Sequence, residues 1–201
     1  MKARLIAGFM VLAACGGGSE RAGPIGELGA VCGSSSIIGV AQRPVKSPAS
    51  RQCGIRNPVR IHEVAGIALS QKPLVNCKTA KAFETWVRRG VKPSVRDLDA
   101  RLKSIRVVAH YTCRTRNNQR GAKISEHGKG NAIDVAGFKL ADGSRISVLN
   151  DWNNGEKGRA LRAMHRAACG PFGVVLGPGS DGFHTDHFHM DTSNLRRPYC
   201  R

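Results

Sequence analysis

The cysteines are the feature that most constrains what this 201-residue chain can fold into. One of the seven, Cys15, directly follows a short apolar segment near the N-terminus. An even number of cysteines in an exported domain indicates a framework of disulfides, whose pairing the sequence leaves open. A zinc cluster of thiolates is disfavoured, because no two cysteines form a Cys-x-x-Cys pair. We therefore expect up to three disulfides among the remaining six, which are Cys32, Cys53, Cys77, Cys113, Cys169 and Cys200.

The N-terminal residues predict export and lipid attachment. Lys2 and Arg4 precede an apolar stretch over 5–14, which is long enough for a signal peptide but too short for a membrane-spanning helix. The sequence Leu-Ala-Ala-Cys over 12–15 resembles the bacterial lipobox, in which the cysteine becomes the lipidated first residue of the mature protein. We expect a signal peptide over 1–14 and a lipid anchor on Cys15. The alternative is an ordinary cleaved signal peptide that happens to contain a cysteine.

This interpretation predicts a protein of the bacterial cell envelope that is lipid-anchored and faces the periplasm. Gly16 rather than an aspartate follows Cys15, which favours the outer membrane by analogy with enteric lipoproteins. Lys and Arg number 32 against 14 Asp and Glu, so the net charge is +18. A surface of this sign attracts polyanions, and in that compartment we expect peptidoglycan or another anionic envelope polymer as the partner. Nucleic acid is not expected, because the chain carries an export signal and only 5% aromatic residues for base stacking.

The chain divides into a tether and one folded domain. Residues 15–50 are rich in Gly, Ser, Pro and Ala, which predicts a flexible tether whose middle Cys32 could pin to the domain. Over 51–201, strands are indicated at 59–63, 105–111 and 172–176, and helices at 80–87, with Gly90 and Pro93 as stop signals, and at 159–168. The elements follow no regular βαβ rhythm. We predict a monomeric α+β domain with a mixed, mainly antiparallel sheet flanked by helices.

Two short segments carry residues suited to a metal site. In the first, His127 and Asp134 are seven residues apart, with Gly128 and Gly130 between them. Glycines permit a tight or left-handed backbone, which lets two ligands from one short stretch turn towards a common point. An imidazole nitrogen paired with a carboxylate oxygen is a zinc-like ligand set.

The second segment, 184–191, holds three of the seven histidines. If this stretch is extended, His187, His189 and Asp191 lie on one face, because side chains alternate along a strand. One histidine from here and two ligands from the first segment give three protein ligands and leave a fourth position for water, as in catalytic zinc sites. A tract that merely scavenges metal is disfavoured, because the segment is not of low complexity.

At these residues the sequence resembles a known family. The stretches YTCR (111–114), SEHGKGNAIDVAGF (125–138) and GPGSDGFHTDHFHMD (177–191) are similar to the bacterial extensin-like C-terminal domain family, and the resemblance covers about 52–201. More distantly, the pattern resembles zinc peptidases of the D-alanyl-D-alanine carboxypeptidase and LAS murein endopeptidase type. Those proteins share the hedgehog fold and bind one zinc through His-x6-Asp and a later histidine. The resemblance therefore implies a hedgehog/DD-peptidase-like fold.

The resemblance also implies a ligand set. His127, Asp134 and His189 would bind the zinc, since the last histidine of a His-x-x-His-x-His segment is the ligand in the LAS enzymes. His184, His187 and His189 have this spacing. A register in which His187 is the ligand and His184 is the base stays open.

Four residues are implied in catalysis. His187 would lie beside the zinc-bound water as base or transition-state stabiliser, with His184 near it. Arg114 would stabilise the developing oxyanion, a task that suits a fixed cation with a fork of donors. Several relatives use an acidic base three residues before the last ligand, so Asp186 is the alternative to His187.

The leading hypothesis is a zinc metallopeptidase, of carboxypeptidase or endopeptidase type, that cleaves peptide bonds in peptidoglycan. The alternative is a non-catalytic envelope module that keeps zinc for structure or binds wall polymer or a partner protein. His62, His110 and His165 are not expected to act, and His165 is expected to be solvated on a polar helix face. Phe83 and Trp86 are expected in the core.

Overall fold

A large mixed sheet organises the described part of the chain, which comprises residues 22–201 of a computed structural model apart from the side chain of Asp97. Cys15 and the predicted signal peptide lie outside the described residues. The strands are β1 (Leu28–Val31), β2 (Ser34–Ala41), β3 (Val45–Lys46), β4 (Gly54–Ile55), β5 (Pro58–Val64), β6 (Ile67–Leu69), β7 (Leu74–Asn76), β8 (Leu102–Ala109), β9 (Ala132–Leu140), β10 (Arg145–Ser147), β11 (Val174–Leu176), β12 (Phe188–Asp191) and β13 (Tyr199–Cys200).

The sheet has the order β1-β2-β5-β6-β8-β9-β12-β11-β13, with β10 added to β9 and β7 added to β5. Its pairs are antiparallel except β6 with β8 and β11 with β13, and β3 and β4 form a separate ladder. Strands and helices are thus mixed in one small domain, so the α+β class and the mainly antiparallel sheet are confirmed.

Four α-helices accompany the sheet within the described residues: α1 (Cys77–Trp86), α2 (Lys92–Ser94), α3 (Val148–Asp151) and α4 (Gly155–Ala168). Three 3-10 turns lie at Arg96–Leu98, Arg116–Asn118 and Glu126–Lys129. The prediction that Gly90 ends the first helix is wrong, because a π-helical turn over Val87–Val91 joins α1 to α2. Gly90 lies at the contact with α4 instead, where a Cβ atom would stand 2.8 Å from the Cβ of Ala167. No helix in 22–201 is both long enough and apolar enough to span a membrane.

The core lies between the helices and one face of the sheet. Phe83 and Trp86 are fully buried, as predicted, and their ring centroids are 5.5 Å apart. The indole N–H of Trp86 donates to the Met164 carbonyl of α4 at 2.8 Å, so burial leaves no donor unpaired. Ile133 and Val135 of β9 belong to this core. Because side chains alternate along a strand, Asp134 between them projects from the opposite face, where the candidate site lies.

The segment predicted as a tether is in part folded. Residues 28–41 form β1 and β2, and β2 pairs with β5. Ile37 and Ala41 are buried on the same face of β2. The prediction of a flexible tether over 15–50 is therefore wrong for this stretch, because alternating apolar burial prevails over a glycine- and serine-rich composition.

Three disulfides join the six cysteines, as expected: Cys32–Cys77, Cys53–Cys113 and Cys169–Cys200. The first connects the turn between β1 and β2 to the start of α1. The second ties the segment after β8 to the loop before β4. The third holds β13 to the end of α4, and so fixes the edge of the sheet that borders the candidate site.

Candidate metal centre

Neighbouring strands and one tight turn bring His127, Asp134 and His189 together. Asp134 on β9 and His189 on β12 are Cα partners in the antiparallel ladder, so their side chains project side by side from the same face. His127 lies in the 3-10 turn over Glu126–Lys129, directly before β9. Each of the three residues offers one ligand atom, and these atoms all lie within 4.8 Å of one another.

The turn that carries His127 depends on its glycines. Ser125 begins the turn, and its hydroxyl accepts from the His127 backbone N–H at 3.4 Å. Gly128 packs so closely on the disulfide that a Cβ would stand 2.9 Å from the Cys53 sulfur. Gly130 has a left-handed backbone with φ +67° and lies against Ile55. These positions allow the chain to reverse and to direct His127 towards Asp134.

The distances among the three side chains fit a tetrahedral zinc ion. His127 Nε2 lies 3.2 Å from Asp134 Oδ2, and His189 Nδ1 lies 2.9 Å from Asp134 Oδ1. The two ring nitrogens are 3.2 Å apart. In a tetrahedral site with bonds of about 2.0–2.1 Å, ligand atoms are separated by about 3.3 Å. One Asp134 oxygen faces each ring, and the spacing of the three side chains is compatible with a tetrahedral zinc ion.

The other nitrogen of each ring has a hydrogen-bond partner that orients it. His127 Nδ1 donates to the backbone carbonyl of His110 at 2.9 Å, and His189 Nε2 lies 3.3 Å from Asp191 Oδ2. A carbonyl and a carboxylate accept only, so these partners direct His127 Nε2 and His189 Nδ1 to the common point. Such orienting partners are a regular feature of histidine metal sites.

The electrostatics suit a cation at this point. Burial alone would raise the pKa of Asp134, but the adjoining His127 and His189 rings outweigh it and hold the pKa well below the usual range. Burial alone would lower the pKa of His189, but its hydrogen bonds to Asp134 and Asp191 raise the pKa to about 9. The buried carboxylates thus attract a proton to His189, and a metal cation would compete for the same place.

His187 and Asp186 form a pair beside this cluster. His187 Nε2 lies 3.6 Å from Asp134 Oδ2, while its Nδ1 lies 2.7 Å from Asp186 Oδ1. The Asp186 side chain is 60% exposed and is not part of the cleft lining. Of the two candidate bases, His187 therefore presents a ring nitrogen to the site, whereas Asp186 holds the far side of that ring.

His184 is buried behind His187. Its ring centroid is 5.2 Å from that of His187 and 5.5 Å from that of His189. Its Nδ1 lies 2.7 Å from Asp181 Oδ1. Burial lowers the pKa of His184 and outweighs the opposing effect of the Asp181 carboxylate, which favours the neutral ring. His184 is thus fixed in place as an uncharged group.

A cleft of about 580 Å³ opens over these residues. Arg114 lies half-buried in its wall, and one guanidinium N–H donates to the Thr115 carbonyl at 3.3 Å. The predicted site residues that line the cleft are Arg114, His127, Asp134, His184, His187 and His189. Six of the seven predicted ligands and catalytic residues thus surround one space, and Asp186 lies just outside it.

Three acidic residues support the site, and the sequence indicated them incompletely: for Glu126 it left open a supporting role beside His127 or a merely exposed charge. Asp191 was expected only to share a face with His189, and its position two residues along a strand was the available signal. Asp181 was not singled out, although an aspartate before a glycine is typical of the turn that it forms. Glu126 is buried and accepts from Lys129 and Asn131 at 2.7 and 2.6 Å, which anchors the turn that holds the first ligand.

Two histidines outside the two predicted metal-binding segments, His165 and His110, lie in surroundings that the sequence did not indicate. His165 is buried rather than solvated, and its ring makes edge contacts with Trp152 and Phe188 at centroid distances of 5.7 and 5.2 Å. The helix pattern around it is polar, but side chains from other elements cover it. His110 contributes its backbone carbonyl to the site, whereas its ring Nδ1 is buried without a hydrogen bond.

Comparison with known proteins identifies the family. The family model for the C-terminus of extensin-like proteins matches residues 32–201. The chain belongs to the extensin-like C-terminal family. No curated protein and no solved structure matches the chain. The extensin-like domain begins at Cys32, inside the segment predicted as a tether, in agreement with strand β2.

Proposed function

We propose that this chain is a zinc-dependent hydrolase of the bacterial cell envelope that cleaves peptide bonds in peptidoglycan. The observation that carries the proposal is the spacing of His127, Asp134 and His189 at one end of a cleft, with ligand atoms 2.9–3.2 Å apart. Three protein ligands leave one position of a tetrahedral ion open to the cleft, which is typical of catalytic zinc. The spacing of the site histidines, which resembles that of the D-alanyl-D-alanine carboxypeptidase and LAS enzymes, supports the same class and a hedgehog-like fold.

Zinc bound here would polarise the carbonyl of the scissile amide and make water acidic enough to attack it at neutral pH. His187 Nε2 faces the site and is placed to accept the proton of the attacking water. Asp186 accepts from the opposite nitrogen of that ring and so keeps its orientation. His187 then donates the same proton to the leaving amine, which completes the hydrolysis.

We assign Arg114 to stabilising negative charge on the substrate and His184 to positioning the His187 ring. The Arg114 guanidinium lies in the cleft wall and would stabilise the negative charge that develops on the carbonyl oxygen. His184 is neutral and fixed by Asp181, so it supports the His187 ring without repelling a metal cation. His184 and Arg114 would therefore need little movement as charge develops at the metal centre during the reaction.

The proposal includes attachment to a membrane through a lipid on Cys15, on the periplasmic side and in the outer membrane. The net charge of +18 supports binding to an anionic wall polymer. Such an arrangement would keep the enzyme close to peptidoglycan. Radiolabelled palmitate should be incorporated into the wild-type chain and not into a Cys15→Ser variant.

A sacculus digestion tests the activity. The full chain is exported so that its disulfides form, its metal content is measured by mass spectrometry, and it is incubated with purified sacculi. We expect one zinc per chain and release of new muropeptides by the wild type. His189→Ala should lose both zinc and activity, whereas His187→Ala should keep zinc and lose activity.

The matched control is His62→Gln, because His62 is a histidine outside the cleft lining. This variant should keep both zinc and activity. A zinc-loaded wild type that releases no muropeptide from any sacculus would contradict the hydrolase and would favour the non-catalytic module. Equal activity of His187→Ala and wild type would contradict the role given to His187.

A further inference from the structure

Exposed apolar side chains are concentrated at the cleft. Among residues 22–201, six large apolar side chains are exposed, and three of them line this one cleft: Phe183 at 53%, Leu195 at 49% and Tyr199 at 49%. Single exposed apolar residues are common on protein surfaces, but several that line one cleft are typical of a binding site. Together with Val174 and Leu176, which also line the cleft, they form what we call the apolar shelf.

The register of the sheet places the apolar shelf next to the metal ligands. Leu176 on β11 is the Cα partner of His189, which is in turn the partner of Asp134. Directly paired residues project from the same face of a sheet, and neighbouring strands are about 4.8 Å apart. Leu176 is therefore one strand away from a ligand, on the ligand side of the sheet.

A second row repeats this arrangement. The Asp191 carboxylate lies 3.3 Å from the His189 ring. In the strand register, Asp191 is the Cα partner of Val174 on β11, and Val174 is the Cα partner of Tyr199 on β13. Tyr199 thus lies two strands from Asp191 on the same face. The apolar shelf is a direct continuation of the surface that carries the metal centre, and a group bound on it would adjoin the scissile bond.

Hydrogen bonds and a disulfide fix the two ends of the apolar shelf. Asp181 Oδ1 accepts from the backbone N–H groups of Phe183 and His184 at 2.8 and 3.1 Å, and it also pairs with the His184 ring. One carboxylate therefore turns His184 inwards and leaves Phe183 outside over the cleft. At the other end, the disulfide at Cys200 fixes β13, and the Arg201 guanidinium lies 5.8 Å from the Tyr199 ring centroid.

Cationic and amide side chains line another part of the cleft. Arg114, Arg116, Asn117 and Asn118 follow β8, and β8 and β11 lie on opposite sides of the β9–β12 pair that carries Asp134 and His189. A bound chain would therefore meet polar donors on one side of the metal centre and apolar carbon on the other. This asymmetry gives a substrate a defined orientation.

We propose that the apolar shelf is a specificity subsite for a side chain with a long apolar stem next to the scissile amide. The inference rests on the proposed hydrolase function and narrows its substrate class. Within peptidoglycan, amides flanked by the aliphatic stem of a diamino acid are preferred over those flanked by the methyl group of alanine, because a methyl group is too small to cover Phe183, Leu195 and Tyr199. The apolar area removed from water provides the preference.

Two zinc-binding hydroxamates test this proposal without requiring turnover. Acetohydroxamic acid carries a methyl group, and 3-phenylpropionohydroxamic acid carries an extended aromatic group on the same zinc-binding head. Their dissociation constants are measured by calorimetry on the zinc-loaded full chain. We expect the phenyl compound to bind at least about tenfold more tightly, because most of its ring would be removed from water.

Variants locate the effect on the apolar shelf. Phe183→Ala and Leu195→Ala should each reduce the ratio of the two dissociation constants by about threefold, with the affinity for acetohydroxamic acid unchanged. The control is Leu149→Ala, since Leu149 is 61% exposed but lies on α3 outside the cleft lining. It should leave the ratio as in the wild type.

The outcomes separate the inference from the function on which it rests. Equal affinities of the two compounds for the zinc-loaded wild type would overturn the apolar subsite and leave the zinc centre intact. A ratio that falls as much in Leu149→Ala as in Phe183→Ala would overturn it too. A chain that binds no zinc, or zinc but neither hydroxamate, would overturn the proposed function and this inference with it.

Discussion

Zinc and a proton should compete for His189. The Asp134 and Asp191 carboxylates outweigh the effect of burial and raise the pKa of this histidine to about 9. Ligation requires the neutral ring, so each pH unit below that pKa weakens zinc binding by about tenfold. At pH 7 the affinity should therefore be about a hundredfold below its limit at high pH.

Competition with a chelator of known affinity measures this effect between pH 6.5 and 8. We expect the logarithm of the zinc dissociation constant to fall by about one for each pH unit. Calorimetry at pH 6.5 in buffers of different ionisation enthalpy should detect about one proton released per zinc. Asp191→Asn removes one of the two carboxylates, so the pH at which the affinity levels off should move downwards.

Asp142→Asn is the matched control, because Asp142 is an exposed carboxylate outside the cleft lining that accepts from the Ser144 backbone N–H and hydroxyl. A pH-independent zinc affinity, or zinc uptake without proton release, would refute the reasoning. The stability of the metal-free protein should change with pH in the opposite direction to the zinc affinity. In the metal-free protein, the raised pKa stabilises the fold fully below pH 6.5, and this contribution is lost as the pH rises through about 9.

Three further predictions concern residues that support the site. Asp181→Asn should lower the rate of muropeptide release while one zinc per chain is retained, because the Asp181 carboxylate orients the His184 ring. Asp142→Asn should leave the rate unchanged. Gly130→Ala should lower the melting temperature more than Gly121→Ala in a thermal scan, since both have a positive φ but only Gly130 lacks room for a Cβ. Burial lowers the pKa of His165 despite an opposing hydrogen bond to the Arg201 backbone, so stability should decrease as the pH falls below 6.5, and His165→Gln should flatten that decrease in melting temperature.

The sequence pattern predicted those features of the site that arise within a short stretch of chain. The two glycines between His127 and Asp134 indicate a reversal of the chain, and Gly130 has the left-handed backbone that this requires. The alternation of the second segment places His189 and Asp191 on one face of β12. Both features depend on fewer than ten consecutive residues.

Features made by distant parts of the chain could not be derived in this way. The pairing of His189 with Asp134 depends on the register between β9 and β12. His165 lies among Arg159, Arg162 and Arg166 of α4, a pattern typical of a polar helix face. Only the fold brings the Trp152 and Phe188 rings over it. Composition was also misleading at Ile37, which is buried in β2 although the stretch around it is rich in glycine and serine.

The central claim is that His127, Asp134 and His189 hold one catalytic zinc ion. X-ray absorption at the zinc edge of the purified full chain tests it most directly, because it reports the ligand types and distances together. The account predicts two imidazole nitrogens and oxygen donors at about 2.0–2.2 Å, with no sulfur. A sulfur shell near about 2.3 Å, or a chain that binds no zinc, would contradict it.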